Sequence, residues 1–295
     1  MTAGGVADRA WTAPRSYLYV PGNAPEKLDR ALDRGADALI LDLEDAVPDP
    51  GKDAARSRVI SWLDGANPQP CQVWVRVNSG AARDADVAAL AGAEHLTGIV
   101  LAKAEDPGEV AAVAALLDAA GDTRTALMPL LETARAVIAA ASIAQQPRVS
   151  YLQLGEVDLC ADTGIDPGPD EGELGPLRAH VVLASAAAGL PLPVGPVSRN
   201  FSDLASFEDS TRRLRRQGFF GRCCIHPAQL DIVHDVFTPT EQEVADATRT
   251  VAAFDAAVAA GRGVLLDDAG HLVDLAVVRS ARRTVEVAEA ARPPR

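Results

Sequence analysis

Short apolar runs recur along this chain with helical stretches between them, and that alternation constrains the fold more than any other feature. Six runs are plain: SYLYV (16–20), ALILDL (38–43), QVWVRV (72–77), GIVLAK (98–103), ALMPLL (126–131) and SYLQLG (150–155). Two weaker ones follow, LPVGPV (192–197) and FFGRCCI (219–225). Unbroken apolar runs are how strands buried on both faces read, and strands separated by helices imply a parallel sheet. Eight such units in about 230 residues match the size of a TIM barrel. A doubly wound sheet is the rival, but no strand leads into GxGxxG or GxxxxGK[ST], so the usual nucleotide loops are absent. The predicted class is therefore α/β, a TIM (β/α)8 barrel.

The punctuation between the runs agrees. Asn23 with Pro25-Glu26 reads as a cap and an acidic first turn, and Asp106-Pro107-Gly108-Glu109 as N-cap, Pro at N1 and Glu at N3. Val110, Val113 and Leu117 then share one helical face. Gly35, Gly121, Gly189 and Gly218 stand where helices should stop. After the eighth run the pattern changes. Thr238-Pro239-Thr240-Glu241 opens a long Ala-rich helix, and GVLLDDAGHLVDLAVVRSA reads as a two-strand hairpin followed by a final helix. Three regions are expected: a loose leader at 1–14, a barrel at 15–237, and a C-terminal helical and hairpin extension at 238–295. The extension is expected to cover a barrel mouth, its own or a neighbouring subunit's.

Composition excludes several roles. The formal charge is −13, which argues against a nucleic-acid surface. No apolar stretch reaches membrane-span length and the N-terminus lacks a signal peptide's pattern, so a cytoplasmic chain is expected. Cys71, Cys160, Cys223 and Cys224 lack zinc-ligand spacing and read as packed, reduced thiols.

Three of the apolar runs end in carboxylates, which are rarely buried without a partner. Glu132 and Asp158 fall at the predicted C-terminal ends of strands five and six, the end where such barrels keep their chemistry. Two carboxylates with room for water and a chelating ligand suit Mg²⁺. The alternative is that each caps a following helix. Asp42, Glu44 and Asp45 form the densest acidic cluster and read as supports for the groups that touch ligand. Arg76, near the end of strand three, is placed to bind a carboxylate or stabilise an enolate, with Asp42 or Glu44 orienting it. Lys103 reads as an ion-pair partner, for Glu132, rather than a Schiff-base lysine. The run RRLRR (212–216) reads as a solvated helix face. His226-Pro227 ends strand eight near the mouth, substrate-proximal without a proton-transfer role.

PRSYLYVPGN, GADALILDLEDAV, VWVRVNS, LLETARA, LGEVDLCAD and CIHPAQ occur in this order. In them, and in the tail phrase DDAGHLVDLAVVRSA, the chain resembles the HpcH/HpaI aldolase and citrate lyase beta-subunit family over residues 14–288. The resemblance implies a barrel that makes or breaks carbon–carbon bonds in acyl thioesters with Mg²⁺, Mn²⁺ being the alternative ion. It implies metal ligation by Glu132 and Asp158, and an α-oxoacid carboxylate on the backbone N–H groups of Gly155, Glu156 and Val157. It puts Arg76 at the reacting oxygen and Arg15 and Lys27 on coenzyme A phosphates. It also implies that Asp274, on the tail, reaches a neighbouring subunit's site. Where the family usually reads ETxRG this chain has Glu132-Thr133-Ala134-Arg135-Ala136, a departure that bears on the acyl pocket.

The expected activity is reversible Claisen-type cleavage of a 3-hydroxyacyl-CoA (malyl-, citramalyl- or citryl-CoA-like) to an α-oxoacid and an acyl-CoA. The coenzyme is part of the substrate, and the assembly expected is a homo-oligomer, a trimer or a multiple of one. The rival readings are a citrate lyase beta subunit acting on a carrier-bound citryl thioester, an aldolase using free pyruvate, and an inactive barrel kept for binding or assembly.

Overall fold

A computed structural model describes residues 13–65 and 71–290 of the chain. The expected leader falls outside the described residues as far as residue 12. Seven parallel strands carry the fold: β1 (Ser16–Pro21), β2 (Ala38–Asp42), β3 (Gln72–Val77), β4 (Gly98–Leu101), β5 (Ala126–Leu131), β6 (Gln153–Leu154) and β7 (Arg222–Cys224). They pair in the order β6-β5-β4-β3-β2-β1-β7.

The eighth position is present but is not a strand. Val194 bridges Gln153 on one side and Gly195 bridges Arg222 on the other, both parallel, so the ring closes through two residues. The expected strand over 192–197 is corrected to this bridge. Pro193 and Pro196 lack the N–H a ladder needs, which confines pairing to the residues between them. The predicted sixth strand shortens to Gln153 and Leu154, with Gly155 leading directly into the next helix.

Helices α1 (Pro25–Leu28), α2 (Lys52–Gly65), α3 (Ala81–Leu90), α4 (Pro107–Ala119), α5 (Ala134–Ile138) and α6 (Ala140–Ala144) follow the first five strands. Then come α7 (Glu156–Thr163), α8 (Gly175–Ala187), α9 (Leu204–Gln217) and α10 (Leu230–Phe237). Asp106 caps α4 as predicted, its carboxylate accepting from Gly108 N–H. Val110, Val113 and Leu117 are buried, each side chain contributing roughly 1.5–3 kcal/mol. The cap expected of Asn23 is not made: the residue before α1 is Ala24, and no side chain caps it. Gly218 ends α9 at φ 97°, a left-handed conformation that side chains resist.

Inward-facing residues fill the barrel. Tyr17, Ile40, Trp74, Val100, Met128 and Val194 form one buried cluster. Trp74 sits opposite Gly98 in register. A Cβ on Gly98 would lie 2.3 Å from the Trp74 ring, so the glycine is what admits the indole.

Contacts divide the chain into two compact units, Pro14–Asp235 and a smaller unit built from Val236 onward. The smaller unit contains α11 (Glu241–Ala259), an antiparallel hairpin of β8 (Leu265–Leu266) and β9 (Leu272–Val273), and α12 (Leu275–Ala290). Thr240 and Glu243 form a capping box at the start of α11. Phe254, Val273 and Val278 make the unit's own core. Among the described residues, no helix is long and apolar enough to cross a membrane.

Candidate active site

The C-terminal ends of the barrel strands open into a cavity of about 1050 Å³. Its polar wall begins with Asp42, the last residue of β2, which is paired in register with Arg76 of β3. The Arg76 guanidinium meets Asp42 bidentately, Nε to Oδ1 at 2.8 Å and Nη2 to Oδ2 at 2.6 Å. Nη1 lies 2.9 Å from Glu44 Oε2 and 3.8 Å from Asp45 Oδ2. The Glu44 contact is an ion pair without hydrogen-bond alignment, since Glu44 Oε2 has no aligned donor among the described residues. Tyr19 lies against the guanidinium, 5.1 Å from ring centroid to Cζ. Burial opposes the charge on Arg76, but the hydrogen bonds to Asp42 outweigh it and hold the group well above its ordinary pKa.

Lys103 completes this cluster differently from the prediction. Its Nζ pairs with Glu44 Oε1 at 2.9 Å, and it is its backbone N–H that donates to Glu132 Oε1, at 2.7 Å. The residue has φ 52°, which turns the amide toward Glu132 and the side chain toward Glu44. Burial raises the Glu44 carboxyl, with Arg76 and Lys103 opposing.

Glu132, one residue beyond β5, is 1% exposed. Burial, together with the nearby Glu44 and Asp158 charges, pushes its carboxyl up to about 7 despite the Lys103 amide. Asp158 is not at a strand end as predicted. It lies in the first turn of α7, because the chain turns into helix immediately after Gly155. Among the described residues no three His, Cys, Asp or Glu side chains gather as a ligand cage. Two carboxylates, one buried and electrostatically strained by the other, fit a hard cation that keeps water or substrate in its remaining positions.

The N-terminus of α7 corrects a second expectation. The Gly155 N–H already donates to the Leu131 carbonyl at 2.9 Å, leaving Glu156 and Val157 as the amides that open the helix. The Glu156 side chain turns away to Arg178, which is itself buried, through bonds of 2.5 and 2.8 Å.

Arg15 is also corrected. It precedes β1, at the opposite end of the barrel from the cavity, and its Nε and Nη2 bind Asp37 at 2.8 and 2.9 Å. Lys27 does line the cavity, together with Arg30 and Arg34. Those two arginines carried no motif, but they sit at three- and four-residue steps after Lys27, the spacing that would have placed them beside it on a helix. His226 and Pro227 line the cavity too. The His226 Nδ1 accepts from Ala228 N–H, and its ring stacks on Phe201 at 5.3 Å. The RRLRR run lies on α9 as predicted, with Arg212 paired to Glu208 and Arg213 to Glu171. Asp274 belongs to the smaller unit, where its Oδ1 accepts from the N–H groups of Ala276 and Val277 at the start of α12.

Fold and cavity together define an α/β barrel protein with a carboxylate pair and an oriented arginine at the C-terminal ends of its strands. More specifically, the chain belongs to the HpcH/HpaI aldolase/citrate lyase family, whose sequence pattern matches residues 15–227. A (3S)-malyl-CoA thioesterase of Cereibacter sphaeroides is 35% identical over 278 residues, 94% of this chain and 95% of that one. The citrate lyase subunit beta of Leuconostoc mesenteroides subsp. cremoris is 31% identical over 285 residues, 94% and 93% of the two chains. Among solved structures, CitE from Mycobacterium tuberculosis in complex with magnesium, acetoacetate and coenzyme A aligns with a TM-score of 0.78 at 29% identity. That alignment covers 95% of this chain and 100% of that one.

Proposed function

We propose that this protein is a Mg²⁺-dependent lyase that reversibly cleaves a 3-hydroxyacyl-CoA into an α-oxoacid and an acyl-CoA. The observation that carries the reading is the meeting of Arg76, Glu132 and Asp158 in one cavity whose outer wall bears Lys27, Arg30 and Arg34. In a chain of net charge −13, those cations supply the local attraction that a polyphosphate ester needs and a free oxoacid does not.

Glu132 and Asp158 would hold the metal, which supplies Lewis-acid polarisation of the substrate's oxygens. The remaining work falls to the chain. Arg76 has five N–H groups, and those not bound by Asp42 or facing Glu44 are left for the thioester enolate oxygen that forms as the C–C bond breaks. Asp42, Glu44 and Asp45 hold that guanidinium, Lys103 acts on it through Glu44, and none of the four would transfer a proton in the reaction. The Glu156 and Val157 amides would receive the oxoacid carboxylate. In cleavage the substrate's hydroxyl proton would pass to a cavity water, and Asp274, reaching a neighbouring copy's cavity in a homo-oligomer, would help return a proton to the enolate carbon.

The test is to incubate protein and Mg²⁺ with malyl-, citramalyl- and citryl-CoA and identify the products by mass spectrometry. An α-oxoacid with an acyl-CoA supports the lyase. Free CoA with an intact hydroxyacid supports a second reading, thioester hydrolysis, which the relative named (3S)-malyl-CoA thioesterase favours. No product from any ester would refute both. If Asp274 acts across subunits, mixing inactive Arg76→Ala and Asp274→Ala variants restores activity, whereas a purely capping Asp274 gives none.

A further inference from the structure

One level below the carboxylates, the barrel's inner face carries a polar pair, with Arg76 against one ring face and hydrocarbon side chains around the rest. Leu130 of β5 is paired in register with Gln153 of β6. Glu132 and Gly155 lie two residues further along, hence on the same face one level higher. Gln153 is 2% exposed. Its Nε2 donates to the Tyr19 hydroxyl at 2.9 Å, while its Oε1 is buried without a hydrogen-bond partner among the described residues. Both side chains line the cavity, with Leu130, Leu154 and Val197 beside them.

A buried amide terminus left unpaired costs about 1–3 kcal/mol. A leucine at the position would avoid that cost among these neighbours, so the polar group needs a reason. The pair also holds a spare donor. If Nε2 faces Tyr19, the phenol proton is uncommitted. Turning the amide end over end instead frees an Nε2–H, with the heavy atoms unmoved. In either orientation one donor remains for a ligand oxygen.

Resting on the lyase reading above, we infer that Gln153 and Tyr19 form a specificity floor for the oxoacid fragment. It selects an α-oxoacid whose side chain ends in a carboxylate over one with a hydrocarbon chain of similar length. A site built to hydrogen-bond a ligand group discriminates strongly against the analogue lacking it.

The experiment is calorimetric binding of oxaloacetate and of 2-oxopentanoate to the full-length, Mg²⁺-loaded protein. Wild type should prefer oxaloacetate by about tenfold or more, and Gln153→Leu and Tyr19→Phe should each cut that preference about tenfold, mainly by weakening oxaloacetate. Mg²⁺ affinity should stay unchanged in both variants. Tyr19→Phe keeps the ring against Arg76, so it remains informative should Gln153→Leu fold poorly. Equal weakening of both acids, or a wild type that does not distinguish them, overturns the inference and leaves the lyase reading intact. Binding of Mg²⁺ with neither oxoacid bound overturns both.

Discussion

Arg76 and Asp42 form a two-bond pair, 2.8 and 2.6 Å long, across adjacent strands at the mouth of the barrel. Asp42 is 2% exposed, so losing its charge breaks a buried two-bond pair and leaves Arg76 only its contacts with Glu44 and Asp45. Asp42→Asn places an amide N–H against a guanidinium N–H. We expect a stability loss on the order of 3 kcal/mol by urea denaturation. Turnover should fall about a hundredfold, as for loss of an aimed donor, while Mg²⁺ affinity is retained. Unchanged turnover would show that the orientation of Arg76 is irrelevant to the reaction.

Asp122 is a structural counterpart, remote from the cavity. Its carboxylate accepts from the N–H groups of Gly92, Arg124 and Thr125 at 2.8 to 2.9 Å and from the Thr125 hydroxyl at 2.6 Å. Burial raises its pKa, but these bonds outweigh it and hold the group well below the usual carboxylate range. A depressed carboxylate stabilises the fold fully above its unfolded value, about 3.9, and that stability is lost as pH falls through the folded value. Asp122→Asn should cost about 3 kcal/mol near pH 7, where one amide terminus faces donors. The gap between wild type and variant should narrow as pH falls below the unfolded value. Urea midpoints measured near neutrality and near pH 2.5 check this, and a gap that stays constant would contradict it.

How much of this was legible beforehand follows from what each residue type can signal. The first five strands are predominantly apolar runs, interrupted by residues such as Asp42 and Arg76 at the cavity end, and their apolar residues form the buried sheet. The strand expected over 192–197 looked equally apolar, but apolarity does not report the missing N–H groups of Pro193 and Pro196. Glu132 was legible as an acid ending a buried run. Asp158 was legible as an acid near one, though not that Gly155 would turn the chain into helix before it. Ion-pair partners were harder, because Lys103 at φ 52° splits backbone and side chain between two acids. Arg15 was placed by resemblance, although its position just before the first apolar run already put it at the end of the barrel opposite the chemistry. Gln153 gave no signal at all: a single polar residue in an apolar run gains meaning only once Tyr19 is found beside it.

Lys27, Arg30 and Arg34 are exposed on the cavity wall, and their replacement separates ester recognition from chemistry. Exposed ion pairs contribute roughly 0.2–1 kcal/mol each, so the triple alanine variant should raise KM for a CoA ester by about threefold to a hundredfold. Its KM should also lose most of its dependence on salt. Free oxoacid binding, measured by calorimetry, should not move. A parallel loss of oxoacid affinity would place these cations in the oxoacid site instead.

Gly155 tests the metal site through space rather than charge. A Cβ there would lie 2.6 Å from Glu132 Cβ and 3.2 Å from both Glu132 Oε2 and Leu130 Cδ1. The tightest contact is to Glu132 Cβ, which is fixed to the backbone and cannot turn away as a side-chain end can, so Glu132 itself must be displaced. The backbone of Gly155, at φ −109°, is open to alanine, and the obstacle is therefore contact alone. Overpacking of this kind costs about 1–3 kcal/mol, which a barrel of this size should survive. Gly155→Ala should thus remain folded by circular dichroism while Mg²⁺ affinity drops about tenfold or more, a carboxylate oxygen having left its coordination distance. Full Mg²⁺ affinity in a folded Gly155→Ala protein would remove Glu132 from the metal site and leave its burial beside Asp158 to be explained by packing.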